Sequence, residues 1–457
     1  MRSIVAIACC TVLWGVACGS TIAAEDGKTM TYRHFKVVEE DGKVAAAEPV
    51  LADPVPRWAQ DVSQEPWDWS NGPDTNTPYF VGPIPFVIEP KEGANEPFYS
   101  HNHCPSIVWL DNGDLLAIWY STQKEDGTEL TILAGRKRAG RKTWDPSSEF
   151  FKAENRNMHG SSLFRDATGR LGHINGMGAA GVTGWAMLAL LLRTSDDNGV
   201  TWTPPQAMGA DYRNRHQPIA GAFLTRDGTM IQACDAVPGG NGGAALLISA
   251  DGGLTWVDPG EGKPAPTFQA GTAGEGTIAG IHAGVVELKD GRLMALGRGD
   301  SINGRMPMSL SGDRGKTWTY SAGPFPPIGG GQRLTLKRLR EGPILLISFT
   351  NSKREDTLTS WTFTDAEGNP FDGVGLYAAL SFDEGASWPV RKLLTPGKGD
   401  FDGGAWTGPF TATPTRAEHA GYLAAAQTPD GVIHLISSRL HYQFNLKWLQ
   451  TPTSLSQ

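Results

Sequence analysis

Along the chain, short apolar runs alternate with polar turns, and helical spacing is absent over most of its length. Runs such as Met187 to Leu192 and Leu376 to Leu380 read as strands, and two kinds of turn punctuate them. One is an eight-residue box, Ser-x-Asp-x-Gly-x-Thr/Ser-Trp, at Ser195–Trp202, Ser249–Trp256, Ser311–Trp318 and Ser381–Trp388, with a worn copy ending in Gly140–Trp144. In such a turn the Asp accepts bonds from backbone N–H groups, Gly takes a positive φ, and Trp packs back into the core. The box residues therefore read as structural. The other turn centres on a glycine between two apolar runs, at Gly113, Gly169, Gly228, Gly291, Gly342 and Gly431.

Interleaved, the two turns define a unit of strand, turn, strand, loop, strand, box, strand. Six such units predict an all-β fold, a six-bladed β-propeller with four-stranded antiparallel blades, over residues 79–457. The last unit has a glycine turn and no box, so its outer strand is expected from the amino-terminal side, at Tyr79 to Glu89. Residues 25–78 read as an irregular arm, and the polar stretch 351–372 as a surface loop.

Composition narrows the alternatives. The chain carries 57 Gly, 31 Pro and 15 Trp among 457 residues, a Gly content well above the usual ~7%. That much Gly and Pro excludes coiled coils and long helical bundles, and 40% hydrophobic residues exclude a disordered chain. A net charge of -8 argues against nucleic acid as a partner.

Residues 1–24, with Arg2, an apolar run and a small-residue end at Ala23-Ala24, read as a secretory signal peptide. The protein is therefore expected outside the cell or in the periplasm. Cys18 is a poor lipid-anchor site because Gly stands three residues before it. No later run is long enough for a transmembrane segment. Past the leader only Cys104 and Cys234 remain, which read as small core residues.

Counting back from each glycine turn reaches the start of each innermost strand. The residues there are His103, His159, His216, His282, Gln332-Arg333 and Tyr422. A propeller brings these positions together around one axial pocket. His101, His173 and His434 fall outside this register and read as ordinary structural histidines. Loops on the same face add Tyr120, Glu125, Asp126 and Glu129 from the first blade and Asp235 from the third. Further along come Arg298 and Asp300, in Gly297-Arg298-Gly299-Asp300, and Arg439. His, Arg, Tyr and carboxylate around one pocket suit an anionic sugar, so the expected partner is an acidic oligosaccharide or polysaccharide. No cofactor and no metal are called for.

The four good boxes resemble the Asp-boxes of the sialidase superfamily, over about residues 80 to 450. The resemblance implies a sialidase-like propeller and a glycosidase activity. In that family an Arg triad holds the substrate carboxylate and a Tyr is the nucleophile. Tyr422 matches the nucleophile's place, Arg333 a triad member, and Asp126 or Glu129 the catalytic acid of the first blade. The slot of the first triad Arg reads Asn102-His103-Cys104-Pro105, so His103 stands where the family has Arg. This departure turns the expectation toward an exo-glycosidase for another acidic or modified sugar. In that scheme Tyr422, Asp126, Glu129, Asp300, His103 and His216 are catalytic candidates. His159, His282, Gln332, Arg333, Arg298, Asp235 and Arg439 are candidate substrate contacts.

Three other readings compete. A polysaccharide lyase would use His or Tyr as base and Arg to neutralise a uronate. A metal-centred propeller would draw the four axial histidines onto one ion. A non-catalytic glycan-binding propeller would use the same face without chemistry.

Overall fold

The computed structural model describes residues 32–51, 55–237, 240–350 and 359–455. They form the expected six-bladed β-propeller. Its innermost strands are His101–Trp109, Ser161–Arg165, Gln217–Leu224, Ile281–Glu287, Thr335–Arg338 and Ala424–Gln427. The first, second, fifth and sixth blades carry at least four strands in antiparallel succession from the axis outward. In the fourth blade an additional edge strand, Ala273–Glu275, pairs outside Thr317–Ala322.

The third blade has three strands where four were expected. Beyond its box the chain meets Ala244–Ser249 in isolated bridges, Ile248↔Val257 and Ala244↔Ile278, and not in a fourth strand. Asp258-Pro259-Gly260 follows Val257 directly, and proline has no N–H to extend a ladder.

The last blade is closed from the amino-terminal side. Phe80–Pro85 pairs antiparallel with Leu440–Phe444, with Phe80 opposite Phe444 and Pro85 opposite Leu440. The stretch before it, expected to be an irregular arm, contains a regular hairpin of Tyr32–Glu40 and Lys43–Leu51. Its first strand adds in parallel to the outer edge of the first blade, His34 opposite Lys152. Trp58 then anchors the arm, fully buried, its indole donating to the Glu149 carbonyl at 2.8 Å. Likewise, the stretch 351–372 is not all loop, because Trp361–Thr364 and Pro370–Gly373 pair as a hairpin. Its residues 351–358, and the leader at 1–24 with Cys18, lie outside the described residues.

The boxes are built as their sequence requires. At Ser311–Trp318, Asp313 accepts from the Thr317 amide at 2.9 Å and from its hydroxyl at 2.6 Å, while Ser311 Oγ accepts from the Gly315 amide at 2.8 Å. Gly315 has φ 83°, which only glycine adopts freely. Trp318 is buried and its indole donates to the Gly315 carbonyl at 3.1 Å. These residues lie between the third and fourth strands, on the face opposite the axial histidines.

Candidate active site

Each innermost strand is kinked at its start by a residue in the left-handed region: Cys104, Gly160, His216, His282, Gly331 and Gly421. The ladder slips at the same places, between His103 and Ser106, Pro218 and Ala222, and Ile281 and Gly284. Such bulges turn side chains out of the pleat and toward the axis. Three of the six are not glycine, and each of those costs about 1 to 3 kcal/mol of backbone strain. Strain of that size, repeated at one end of a ring, marks a site.

At its centre stands Tyr422. Its hydroxyl accepts from Nη1 of Arg298 at 2.7 Å and lies 3.0 Å from Nε2 of His282. On the far side of that imidazole, Nδ1 is 2.9 Å from Oδ2 of Asp235. This is a close charge contact without hydrogen-bond alignment. The other oxygen, Oδ1, accepts from the His282 amide at 2.6 Å and fixes the carboxylate against the strand. Burial, with the nearby Arg298 guanidinium, lowers the His282 imidazole to about 4 against the opposing pull of Asp235. Burial likewise pushes the Tyr422 phenol up to about 12, with Arg298 pulling the other way.

His103 packs against Tyr422 with ring centroids 3.9 Å apart. Its Nδ1 pairs with Ser438 Oγ at 2.9 Å, and its Nε2 accepts from the indole of Trp406 at 2.9 Å. Nδ1 therefore carries the proton, and burial keeps the ring neutral, well below the ordinary histidine range. Trp406 sits on the loop of the hairpin Gly399–Asp402 and Pro409–Ala412, 44% exposed and at φ 72°. Behind it Glu418 is buried against Ser437 and Tyr442, and burial raises its carboxyl to about 8.

Glu125 enters from the first blade. Its Oε1 accepts from the Tyr120 hydroxyl at 2.5 Å and lies 3.3 Å from Nε2 of His101. Burial pushes this carboxyl up, but those two bonds outweigh it and hold it at about 2. His159 stacks beside Tyr120, centroids 5.0 Å apart, with its Nδ1 buried and without a hydrogen-bond partner. Burial lowers its imidazole to about 4.

The fold thus brings together His103, His159, His282, Tyr422, Arg298 and Asp235. Gln332 and Arg333 lie beneath them and are committed elsewhere. Gln332 is buried and donates to the His419 carbonyl, while its own carbonyl accepts from Arg298 at 3.1 Å. Arg333 donates to the carbonyls of Leu423 and Pro105 and to Cys104 Sγ at 3.4 Å, so it braces the site from below. Cys104 and Cys234 are both free and buried.

Five candidates are placed otherwise. His216 turns to Asp258, 2.7 Å away, which also binds Arg215. Asp126 is exposed. Glu129 caps its own loop, accepting from Thr122, Gln123 and Lys124. Asp300 accepts from the amides of Gly242 and Gly243. Arg439 pairs with Asp402 at 3.0 Å and borders a small cavity of about 140 Å³ shared with Ser438 and Asn102.

The side chains missed as site candidates are His101, Trp406 and Ser438, while Glu125, expected on the same face, was given no role. Glu125 and Asp126 are adjacent in one loop, and only the three-dimensional path of that loop distinguishes them. Trp406 lies in a connection with no repeat signature.

Nor do the four axial imidazoles converge on one ion, because His103 and His282 have both ring nitrogens engaged and His216 faces Asp258. His216, Asp258 and Glu261 do place ligand atoms within 4.8 Å of one another. Arg215 and Arg213 already pair with the two carboxylates, which leaves little negative charge for a cation.

Fold and site together define an Asp-box propeller with a cluster of histidine and tyrosine side chains on its axis. The chain belongs to the family described as BNR repeat-like domain, whose model matches residues 113–435. No curated protein matches it. Among solved structures, it is similar to the NanB sialidase of Streptococcus pneumoniae, at 14% identity and TM-score 0.53, covering 80% of this chain and 71% of that one. A protein of unknown function from Dyadobacter fermentans DSM 18053 is similar at 16% identity and TM-score 0.50, covering 79% and 98%. A third match is the Hadza microbial sialidase Hz136, at 18% identity and TM-score 0.49 over 76% of this chain, which spans 66% of that protein's length. At these identities the likeness is one of fold.

Proposed function

We propose that the protein is a glycan-cleaving enzyme that hydrolyses terminal acidic or modified sugars, with Tyr422 attacking the anomeric carbon. One observation carries the reading: the Tyr422 hydroxyl is held between Arg298 and a neutral imidazole backed by Asp235. A phenol near 12 is a weak nucleophile until its proton has somewhere to go. His282, neutral above about 4, takes that proton on Nε2 as the bond to carbon forms and the glycosidic C–O bond breaks, the departing oxygen taking a proton from solvent water. A second water then displaces Tyr422 from the sugar, and the phenol recovers its proton from His282. Asp235 steadies the resulting imidazolium, and Arg298 offsets charge on the phenolic oxygen. The exposed indole of Trp406 offers a face for a sugar ring, and the unpartnered Nδ1 of His159 a contact for a substrate hydroxyl.

His103 cannot anchor a carboxylate as an arginine would, because it is neutral and both its nitrogens are engaged. This supports a substrate other than sialic acid. The leader-like amino terminus supports export, so the glycan would be met in the periplasm or outside the cell.

The state of Glu125 favours a second reading. Held at about 2, it is ionised near neutrality and is no proton donor to a leaving group. In a β-elimination beside a uronate carboxylate, Tyr422 can take the substrate proton as it passes its own to His282. The C–O bond at the neighbouring carbon breaks, and the expelled oxygen takes a proton from solvent water, so no carboxylic acid is needed. Incubation with a panel of acidic glycans, followed by product mass, separates the readings. Gain of water indicates hydrolysis, and an unsaturated sugar end indicates elimination. Turnover that survives Tyr422→Phe overturns the assignment of an active Tyr422, and no product from any glycan in the panel leaves a binding propeller.

A further inference from the structure

A cavity lies on the other side of the ring from the Tyr422 hydroxyl. It occupies about 480 Å³ between the six innermost strands, toward their glycine-turn ends. Arg333 closes its inner end, its guanidinium 5.1 Å from the Tyr422 ring and bound to Leu423, Cys104 and Pro105. The cavity is therefore a blind channel, separated from the site by one braced side chain.

Its walls are strongly cationic for a chain of net charge -8. Arg165, Arg226, Lys289, Lys337, Arg338 and Arg340 border it, against one acid, Glu287. Part of that charge is answered locally. Asp111 pairs with Arg165, Glu287 with Arg226, and Glu384 with both Arg338 and Lys289. Among the described residues, the side chains of Lys337 and Arg340 make no ion pair or hydrogen bond.

Lys337 is the more telling of the two. It sits on the inner strand Thr335–Arg338, opposite Leu345, where an apolar residue would satisfy the packing. Burial alone pulls its ammonium below the ordinary lysine range, with no carboxylate to oppose the shift. A partly desolvated cation without a counter-charge is costly, and an anion in the channel would recover that cost. The cations at the mouth would raise the local anion concentration.

We propose that the axial channel is a binding site for a small oxyanion, seated on Lys337 and admitted past Arg340. Phosphate, sulfate and the acidic group of a small metabolite share this chemistry: a compact, multivalent oxygen acceptor matched to an ammonium group.

The test is calorimetric titration and thermal denaturation with inorganic phosphate and with sulfate, against chloride at equal ionic strength. Saturable heat and a saturable rise in Tm are expected from the oxyanions alone. Lys337→Met should weaken affinity on the order of tenfold or more, the loss of one charged hydrogen bond. Arg340→Gln, on an exposed turn, should weaken it less and serves if the strand variant does not fold. A wild-type protein with no saturable response overturns the proposal, as do variants that titrate like wild type. A response to only one of the two anions upholds the site and names its preferred charge and protonation state.

Discussion

Nη1 of Arg298 donates to the hydroxyl of Tyr422 at 2.7 Å, which leaves the phenol proton directed at His282. A guanidinium has no acceptor, so the direction of this bond is fixed by chemistry. The tautomer of His282 follows: Nε2 accepts, and Nδ1–H faces Asp235.

Asp235→Asn should therefore lower kcat while leaving KM nearly unchanged. The amide removes the negative charge that steadies the imidazolium, a loss on the order of 10²-fold or more. Because Oδ1 still accepts from the His282 amide, the variant should fold. Steady-state kinetics on the glycan that wild type cleaves would check this, and equal kcat values would sink the relay.

Arg333→Met should act on stability more than on substrate affinity. The guanidinium satisfies two buried carbonyls, those of Leu423 and Pro105. Each would cost about 1 to 3 kcal/mol if left unpaired. A fall in Tm with KM preserved is expected, whereas a KM effect at unchanged Tm would restore the role of carboxylate clamp.

The ring itself was legible because its signals are local. The box Trp and Asp, and the glycine turns, are required wherever such hairpins occur, and their count gave the blades. The register of the inner strands also gave His103, His159, His282 and Tyr422 without reference to any relative. What failed were residues whose direction depends on the path of a loop or on a rival partner. His216 holds the same register but is drawn off by Asp258, a residue just past a box. Arg333 points into the ring, and only the positions of three acceptors reveal that it is engaged.

Acid should destabilise the fold before it protonates the site. His159 and His282 sit near 4, below the ordinary 6.5, chiefly through burial. Between those values the unfolded chain binds protons that the folded chain refuses, so stability falls as pH drops. The loss is on the order of 3 kcal/mol for each imidazole. Tm measured from pH 7 to pH 4 should decline, and a flat profile would contradict the neutral, buried state assigned to these rings.

Glu418 works in the opposite sense. Burial raises its carboxyl from 4.5 to about 8, so its contribution is full below 4.5 and is lost as pH rises through about 8. Glu418→Gln cannot ionise, and its Tm relative to wild type should climb across that window. A difference in Tm that does not vary with pH would show that Glu418 is already ionised in the folded protein.

The strand Phe80–Pro85 is made early in synthesis and pairs with Leu440–Phe444, almost the last strand to be made. Until then the amino-terminal strand has no ladder, and the first and last blades have no seam. Assembly is thus a long-range closure, slow by its topology and exposed to edge-to-edge association while it waits. Losing either end would open the same seam, so a truncation far from Tyr422 in sequence would loosen the ring that holds its partners in place.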